Sequence, residues 1–165
     1  MIPMQDAITK KVMREEYLSM FRRLKHILPA AVAKRVPKTV MIVSVTSRQA
    51  LFLNSRYRTQ RHPANVLSFR YSSQYGEIIL CPDRIVRDAK KEGNSHVFQM
   101  TWMILHGMLH LAGLHHEYSS AHSRSIELLE RRVLRIFFDV AKRVTPYRRT
   151  RFRDFHGANR DRRAA

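Results

Sequence analysis

Three histidines near the middle of the chain have the spacing of a metal site that does chemistry. His106 and His110 are four residues apart in a strongly helical stretch, so their rings project from one face about one turn apart. Gly113 follows, where a positive φ can turn the chain back so that His116 supplies a third nitrogen. Three neutral imidazoles leave the fourth position of a tetrahedral Zn²⁺ open, which is typical of catalytic zinc sites.

Two other histidines are alternative third ligands in this region. A single histidine on an apolar helix is usually a satisfied core residue, so the metal prediction depends on the whole set. His115 and His122 are both near enough to be considered. Because His115 is one position short of the spacing, it is better suited to support a ligand or to face solvent.

The residue after the first histidine separates two kinds of zinc enzyme. The spacing His-x3-His-x2-Gly-x2-His is also the skeleton of a metzincin peptidase site, in which Glu follows the first histidine as the general base. Here that position is Gly107. A metallopeptidase is therefore the least favoured of the functions considered.

The histidine segment resembles the signature of the YbeY endoribonucleases, His-Gly-x-Leu-His-Leu-x-Gly-Tyr-Asp-His. The matching positions are His106, Gly107, Leu109, His110, Leu111, Gly113 and His116. A second family block is similar to NSRYRTQRHPANVLSF at residues 54–69, and a third to GEIILCP at residues 76–82. The blocks occur in family order, and the resemblance covers about residues 40–134.

This resemblance implies a zinc-dependent endoribonuclease, a hydrolase, that acts on single-stranded regions in the maturation of small-subunit ribosomal RNA. It also implies that the partners are ribosomal RNA and the small ribosomal subunit or its assembly intermediates, with their proteins. Arg58 matches the family's functionally important arginine. A guanidinium can hold a phosphodiester by two hydrogen bonds and stabilise charge that develops on it.

Several positions depart from the family pattern. Leu114 and His115 replace Tyr-Asp before the last ligand, Arg61 replaces an aspartate, and Ala64 replaces a threonine. The loss of two carboxylates makes the site more positive, and the sequence identifies no general base. A second hypothesis is therefore a catalytically weak or inactive assembly factor for the small ribosomal subunit, with the same fold.

Length and charge set the context of this site. The 165 residues carry a net charge of +18 with 44% hydrophobic residues, which indicates one globular domain and a polyanionic partner. The single cysteine excludes an internal disulfide and fits a reducing compartment. No apolar stretch has the length and uniformity of a membrane span, so no membrane partner is expected.

The hydrophobic pattern predicts an α+β fold, with a small mixed β-sheet packed against helices and the metal site on a long helix and the turn after it. The predicted helices lie at residues 6–27, 47–57, 82–91, 95–112 and 120–144, and the predicted strands at residues 39–46, 66–71 and 76–80. These elements belong to one domain, residues 1–141, followed by a basic tail, residues 142–165.

The tail and the second family block supply the predicted nucleic-acid contacts. Residues 142–163 carry a net charge of +7, and aromatic residues alternate there with arginines, as in arms that bind RNA. The candidate contacts are Arg56, Arg61, Arg148, Arg149, Arg151 and Arg153. The basic additions favour a mitochondrial location, and a bacterial cytoplasm, the commonest setting of the family, is the alternative.

Overall fold

The computed structural model describes residues 15–115 and 120–142, in which helices surround a three-stranded sheet. The elements are α1 (Glu15–Ile27), α2 (Ala30–Ala33), β1 (Thr39–Ser44), α3 (Ser47–Arg58), β2 (Val66–Arg70), β3 (Tyr75–Leu80), α4 (Pro82–Glu92), α5 (His96–Leu111) and α6 (Ser120–Lys142). The α+β prediction is confirmed.

The predicted elements agree with these bounds to within two residues wherever both ends are described. The one omission is α2, which has four residues and begins after Pro29. Its hydrogen bonds run from the amides of Val32 and Ala33 to the carbonyl of Pro29. A single turn of this length has too few residues to show a helical period.

The sheet has the order β1-β3-β2, with β1 parallel and β2 antiparallel to the central strand. Five of the six residues of β3 are buried. Ile78 belongs to the large cluster that includes α5, whereas Ile79 belongs to a smaller cluster with residues of α3. Because successive strand side chains point to opposite faces, α5 and α3 cover opposite faces of the sheet.

Helix α5 is the central element of the core, with twelve of its sixteen residues buried. It packs on β2 and β3 and on the helices α1, α4 and α6. The hydroxyl of Ser95 accepts a hydrogen bond from the amide of Phe98 and caps the start of the helix. Within the described ranges, no helix combines the length and the apolar character required to cross a membrane.

Helix α3 buries only one narrow stripe, formed by Ala50, Leu53 and Asn54. A capping box begins the helix, because Thr46 accepts from the amide of Gln49 while the Gln49 side chain accepts from the amide of Thr46. The remaining face of α3 points to solvent. It carries residues 55–58, which belong to the second family block.

Candidate metal centre

His106 and His110 lie together near the end of α5, and their ring centroids are 4.4 Å apart. Both residues are half-buried, in a helix whose other positions are almost entirely buried. The helical spacing thus brings two imidazoles to one partly accessible place, as predicted.

The ring of His106 is held by a buried carboxylate of α6. Nδ1 of His106 lies 2.8 Å from Oε1 of Glu130, and the indole Nε1 of Trp102 donates to Oε2 of the same carboxylate over 3.1 Å. The side chain of Glu130 is only 5% exposed. With Nδ1 bound to the carboxylate, Nε2 of His106 is the nitrogen that would bind a metal, which is the usual arrangement of metal-bound histidine.

A similar contact exists at His110. Its Nδ1 lies 3.1 Å from Nδ1 of His115, so one ring donates and the other accepts. A donor at Nδ1 of His110 again leaves Nε2 as the ligand nitrogen, and the two Nδ1 contacts together suit a pair of zinc-binding imidazoles. His115 thus lies in a position to support a ligand, which is one of the two roles predicted for it from the sequence.

The predicted third ligand, His116, lies outside the described residues, as does the side chain of the alternative ligand His122. Within residues 15–115 and 120–142, the His, Cys, Asp and Glu side chains form no cluster of three with the arrangement of metal ligands. The third ligand therefore stays a prediction.

The turn after the histidine helix has the conformation that the sequence predicts. Gly113 has φ +79°, and the amides of Gly113 and Leu114 donate to the carbonyls of His110 and Leu109. This pair of bonds is a Schellman motif, which ends the helix and reverses the chain. Residues 114 and 115 are thereby directed back along the end of α5.

The guanidinium of Arg70 also supports this end of the helix. Its Nη1 donates to the carbonyl of Leu111 and, over 2.6 Å, to the carbonyl of Arg35. A cation at a helix C-terminus interacts favourably with the free carbonyls and the helix dipole. The last residue of β2 therefore fixes the end of α5 that carries the histidines.

Gly107 lies where α5 crosses the sheet. A Cβ at this position would be 3.0 Å from Cγ2 of Ile78 and 3.2 Å from Cγ1. Ile78 is fully buried, so the glutamate that peptidases use would have to displace this side chain. The close packing of helix and strand thus adds a steric argument against a metallopeptidase.

The sequence missed Glu130, although one signal pointed to it. The buried residues of α6 include Ile126, Val133 and Leu134, and Glu130 is four residues from the first and three from the second. A carboxylate within the apolar stripe of an amphipathic helix needs a buried partner. Only the fold shows that the partners are Trp102 and His106.

A second buried carboxylate lies on the α3 face of the sheet. Glu77 is 2% exposed and accepts hydrogen bonds from the hydroxyls of Tyr75 and Tyr71, at 2.7 and 3.3 Å. Burial and the neighbouring Glu77 carboxylate raise the pKa of Tyr71 to about 12. Both hydroxyls therefore stay protonated as donors at neutral pH.

Arg58 is the last residue of α3, on the opposite face of the sheet from the histidine helix. The adjacent Tyr57 packs edge-on against Phe69, with ring centroids 5.2 Å apart. Because Phe69 is followed by Arg70, which bonds to the end of α5, the C-terminal ends of both helices border the same end of β2.

The segment after Arg58 is tied back to α3. The side-chain amide of Asn54 donates to the carbonyl of His62 over 2.7 Å, and Thr59 has φ +55°, a left-handed conformation. Arg56, Arg58 and Arg61 are all exposed on this helix end and loop. The remaining candidate contacts, Arg148, Arg149, Arg151 and Arg153, lie outside the described residues.

Comparison with known proteins gives one consistent result. The family model described as endoribonuclease YbeY matches residues 4–137. Curated proteins of that name include one from Alkalilimnicola ehrlichii, 31% identical over 66% of this chain and 66% of its own length. Another, from Bdellovibrio bacteriovorus, is 33% identical over 59% of this chain and 64% of its own length. The chain thus spans slightly less than two thirds of these relatives.

The fold is also similar to that of a solved structure. The solution structure of a protein from Thermotoga maritima superposes with a TM-score of 0.54 at 25% identity, covering 80% of this chain and 93% of that one.

Proposed function

The chain belongs to the endoribonuclease YbeY family, and from this premise we propose that it is a zinc-dependent endoribonuclease. Its proposed substrate is single-stranded ribosomal RNA during maturation of the small subunit. The observation that carries this proposal is the pair His106 and His110 one turn apart, with Nδ1 of His106 held by Glu130.

Three histidines would hold the ion: His106, His110 and His116. Bound zinc would polarise a phosphoryl oxygen or activate a water for hydrolysis. The carboxylate of Glu130 orients the His106 ring through Nδ1, so that Nε2 would face the ion. Because Glu130 is buried and binds the Nδ1 side of that ring, it is a positioning residue, and the general base stays unassigned.

Arg58 would bind the scissile phosphate from the end of α3, which borders the same end of β2 as the end of α5 that carries the histidines. Its place at the end of α3 is fixed by Thr59 and by the loop that Asn54 ties down. A guanidinium can pair with two phosphate oxygens and stabilise the charge that develops on them during cleavage. Arg56 and Arg61 add positive potential beside it, which raises the local concentration of RNA.

The basic tail and the cellular location belong to the same proposal. Residues 142–163, with a net charge of +7, would bind phosphates of ribosomal RNA or of a small-subunit assembly intermediate without reading bases. The excess of basic residues supports a mitochondrial setting.

A second candidate function is an assembly factor that binds the small subunit without cutting RNA. Two observations favour it: the site has Leu114 and His115 where the family has Tyr-Asp, and His115 contacts His110 directly. A contact of this kind can hold the ligand ring in place without providing a carboxylate for proton transfer.

One experiment separates these functions. Zinc content and cleavage of a labelled single-stranded RNA are measured for the wild type, His110→Ala, Arg58→Ala and the control Arg87→Ala, an exposed arginine of α4. We expect about one zinc per chain in the wild type and little in His110→Ala, because two remaining ligands bind far more weakly. Arg58→Ala should retain zinc but cleave at least about 10-fold more slowly.

The outcomes are distinct. Full zinc retention in His110→Ala would refute the metal site. A wild type that binds zinc and RNA but does not cut would establish the assembly factor instead. An equal loss of cleavage in Arg87→Ala would show that total charge, and not Arg58, determines the rate.

A further inference from the structure

One long part of the chain has no acidic residue at all. Residues 17–76 contain eleven Lys and Arg and no Asp or Glu. This part includes most of α1, all of α2, β1, α3 and β2, and the loops between them. The first carboxylate after it, that of Glu77, is buried, so the exposed ionised groups of this part are cationic.

The solvent face of α3 arranges aromatic and cationic side chains in a row. Arg48, Phe52 and Arg56 follow each other at intervals of four residues and are all exposed, so each lies one turn from the next. The phenyl ring is accessible to solvent, since Phe52 is 53% exposed. Among the residues described, no aromatic ring or guanidinium stacks on it.

Exposed apolar side chains concentrate in the same place. Of the seven large ones exposed in the described ranges, three are on α3 and a fourth is in the loop that follows β2. They are Leu51, Phe52, Tyr57 and Tyr71. Single exposed apolar residues need no explanation, but three on one helix whose exposed charged residues are all cationic indicate binding.

We propose that the exposed face of α3, formed by Arg48, Phe52 and Arg56, is a stacking platform for single-stranded RNA. The proposal rests on the function proposed above and adds the surface that receives the strand. Phe52 stacks on a base, because every base has a π-face, while the flanking guanidiniums pair with phosphates. Binding of this kind tolerates any base sequence.

The alternation of charge and ring favours RNA over a protein partner. Phe52 has an arginine one turn away on each side, and residues 17–76 contain no Asp or Glu, so this surface suits a polyanion better than a protein surface of mixed charge. A polymer that alternates anionic phosphates with flat rings complements this row at every step.

The platform also lies on a continuous path to the proposed active site. Arg56 and then Arg58 follow Phe52 along α3, whose end borders β2. On the other face, the end of α5 is bonded to the last residue of β2. A strand bound on α3 would therefore reach the histidines by passing the edge of the sheet at β2.

The test measures binding of a fluorescein-labelled single-stranded RNA to the zinc-loaded full chain by anisotropy. We expect Phe52→Ala to weaken binding about 10-fold, the loss of one base–aromatic stack, and Phe52→Trp to retain or tighten it. The matched control is Leu128→Ala, which removes a side chain that is 62% exposed on α6 and should leave affinity unchanged. An RNA of the same length with abasic sites should bind the wild type and Phe52→Ala equally.

Each possible result supports or overturns the stacking platform. Equal affinity of wild type and Phe52→Ala for the normal RNA overturns the platform, while cleavage by the wild type would still support the proposed function. Equal weakening on normal and abasic RNA also overturns it, because stacking would then not be the cause. If Phe52→Ala binds RNA as the wild type does but no longer retains a small-subunit protein in a pull-down, the face binds a protein partner instead. A wild type that neither binds nor cuts RNA rejects both proposals.

Discussion

Helices α5 and α3 cover opposite faces of the same sheet, and they differ in almost every other respect. Twelve residues of α5 are buried. Helix α3 buries only three and exposes arginines and apolar side chains on its other positions. The candidate ligands His106 and His110 are on the buried helix, where Glu130 contacts the ring of the first and His115 that of the second. The candidate RNA contacts Arg56 and Arg58 are on the exposed helix, together with Arg48 and Phe52. A metal centre requires fixed geometry, while a surface for a long polyanion requires accessible charge.

The largest expected difference concerns stability. Leu109→Ala in α5 removes a side chain with 0% exposure and should lower the free energy of unfolding by about 2–5 kcal/mol. Phe52→Ala in α3 should change it by roughly 0.5 kcal/mol or less. Urea unfolding followed by circular dichroism measures both. If Phe52→Ala is as destabilising as Leu109→Ala, the face of α3 is covered in the full chain.

The next effect concerns the support of the metal ligands. Glu130→Gln should weaken zinc affinity about 10- to 100-fold, because the neutral amide no longer favours the N–H of His106 at Nδ1. Glu127→Gln is the matched control, since that carboxylate pairs with Arg131 on the same helix. Competition with a chelating dye measures the affinities. Equal zinc affinity in the two variants would contradict a positioning role for Glu130.

A smaller effect tests how tightly α5 approaches the sheet. Gly107→Ala places a methyl 3.0 Å from the Ile78 side chain and should destabilise the protein by about 1–2 kcal/mol, despite the better helix propensity of alanine. In a protein that already carries Ile78→Ala, the Gly107→Ala substitution should lower the free energy of unfolding by less. A double-mutant cycle of thermal unfolding measures this coupling, and strictly additive changes would show that the two residues do not interact.

The smallest effect concerns the end of α3. Thr59 has φ +55°, which is strained for a β-branched residue. Thr59→Gly should raise the free energy of unfolding by about 0.5 kcal/mol, because relief of strain exceeds the added chain entropy. Thr59→Val retains the branch and serves as the comparison. A Tm of the glycine variant below that of the wild type would show that the loop bonds already offset the strain.

Much of the buried helix could be predicted, because its chemistry and its periodicity lie in consecutive residues. The spacing of His106 and His110 and the glycine turn appear directly in the sequence. Glu130 could not be assigned in this way, since it lies 24 residues from His106 and only packing brings α6 against α5. The order of the strands, with β3 in the centre, also depends on pairings distant in sequence.

The exposed helix was harder to interpret from the sequence. Leu51, Phe52 and Leu53 are consecutive and equally apolar, yet Leu53 is 1% exposed and Phe52 is 53% exposed. Which of the three faces the sheet depends on where α3 begins and on the strand it covers. The sequence alone does not distinguish Arg58 from Arg56 and Arg61, so Arg58 was chosen by family resemblance. Its position near the end of β2 is seen only in the fold.

The central strand is the last of the three to be synthesised, and this order has a consequence for the nascent chain. Neither β1 nor β2 pairs with the other, because both pair with β3. At roughly 5–20 residues per second, β1 therefore stays without a partner strand for seconds during translation. Its sequence TVMIVS is uncharged and β-branched, the composition of segments that aggregate. Lys38 precedes this strand and Arg48 follows it. Flanking charges of this kind oppose aggregation of an exposed strand, so the same cations that suit a polyanion also repel neighbouring nascent chains.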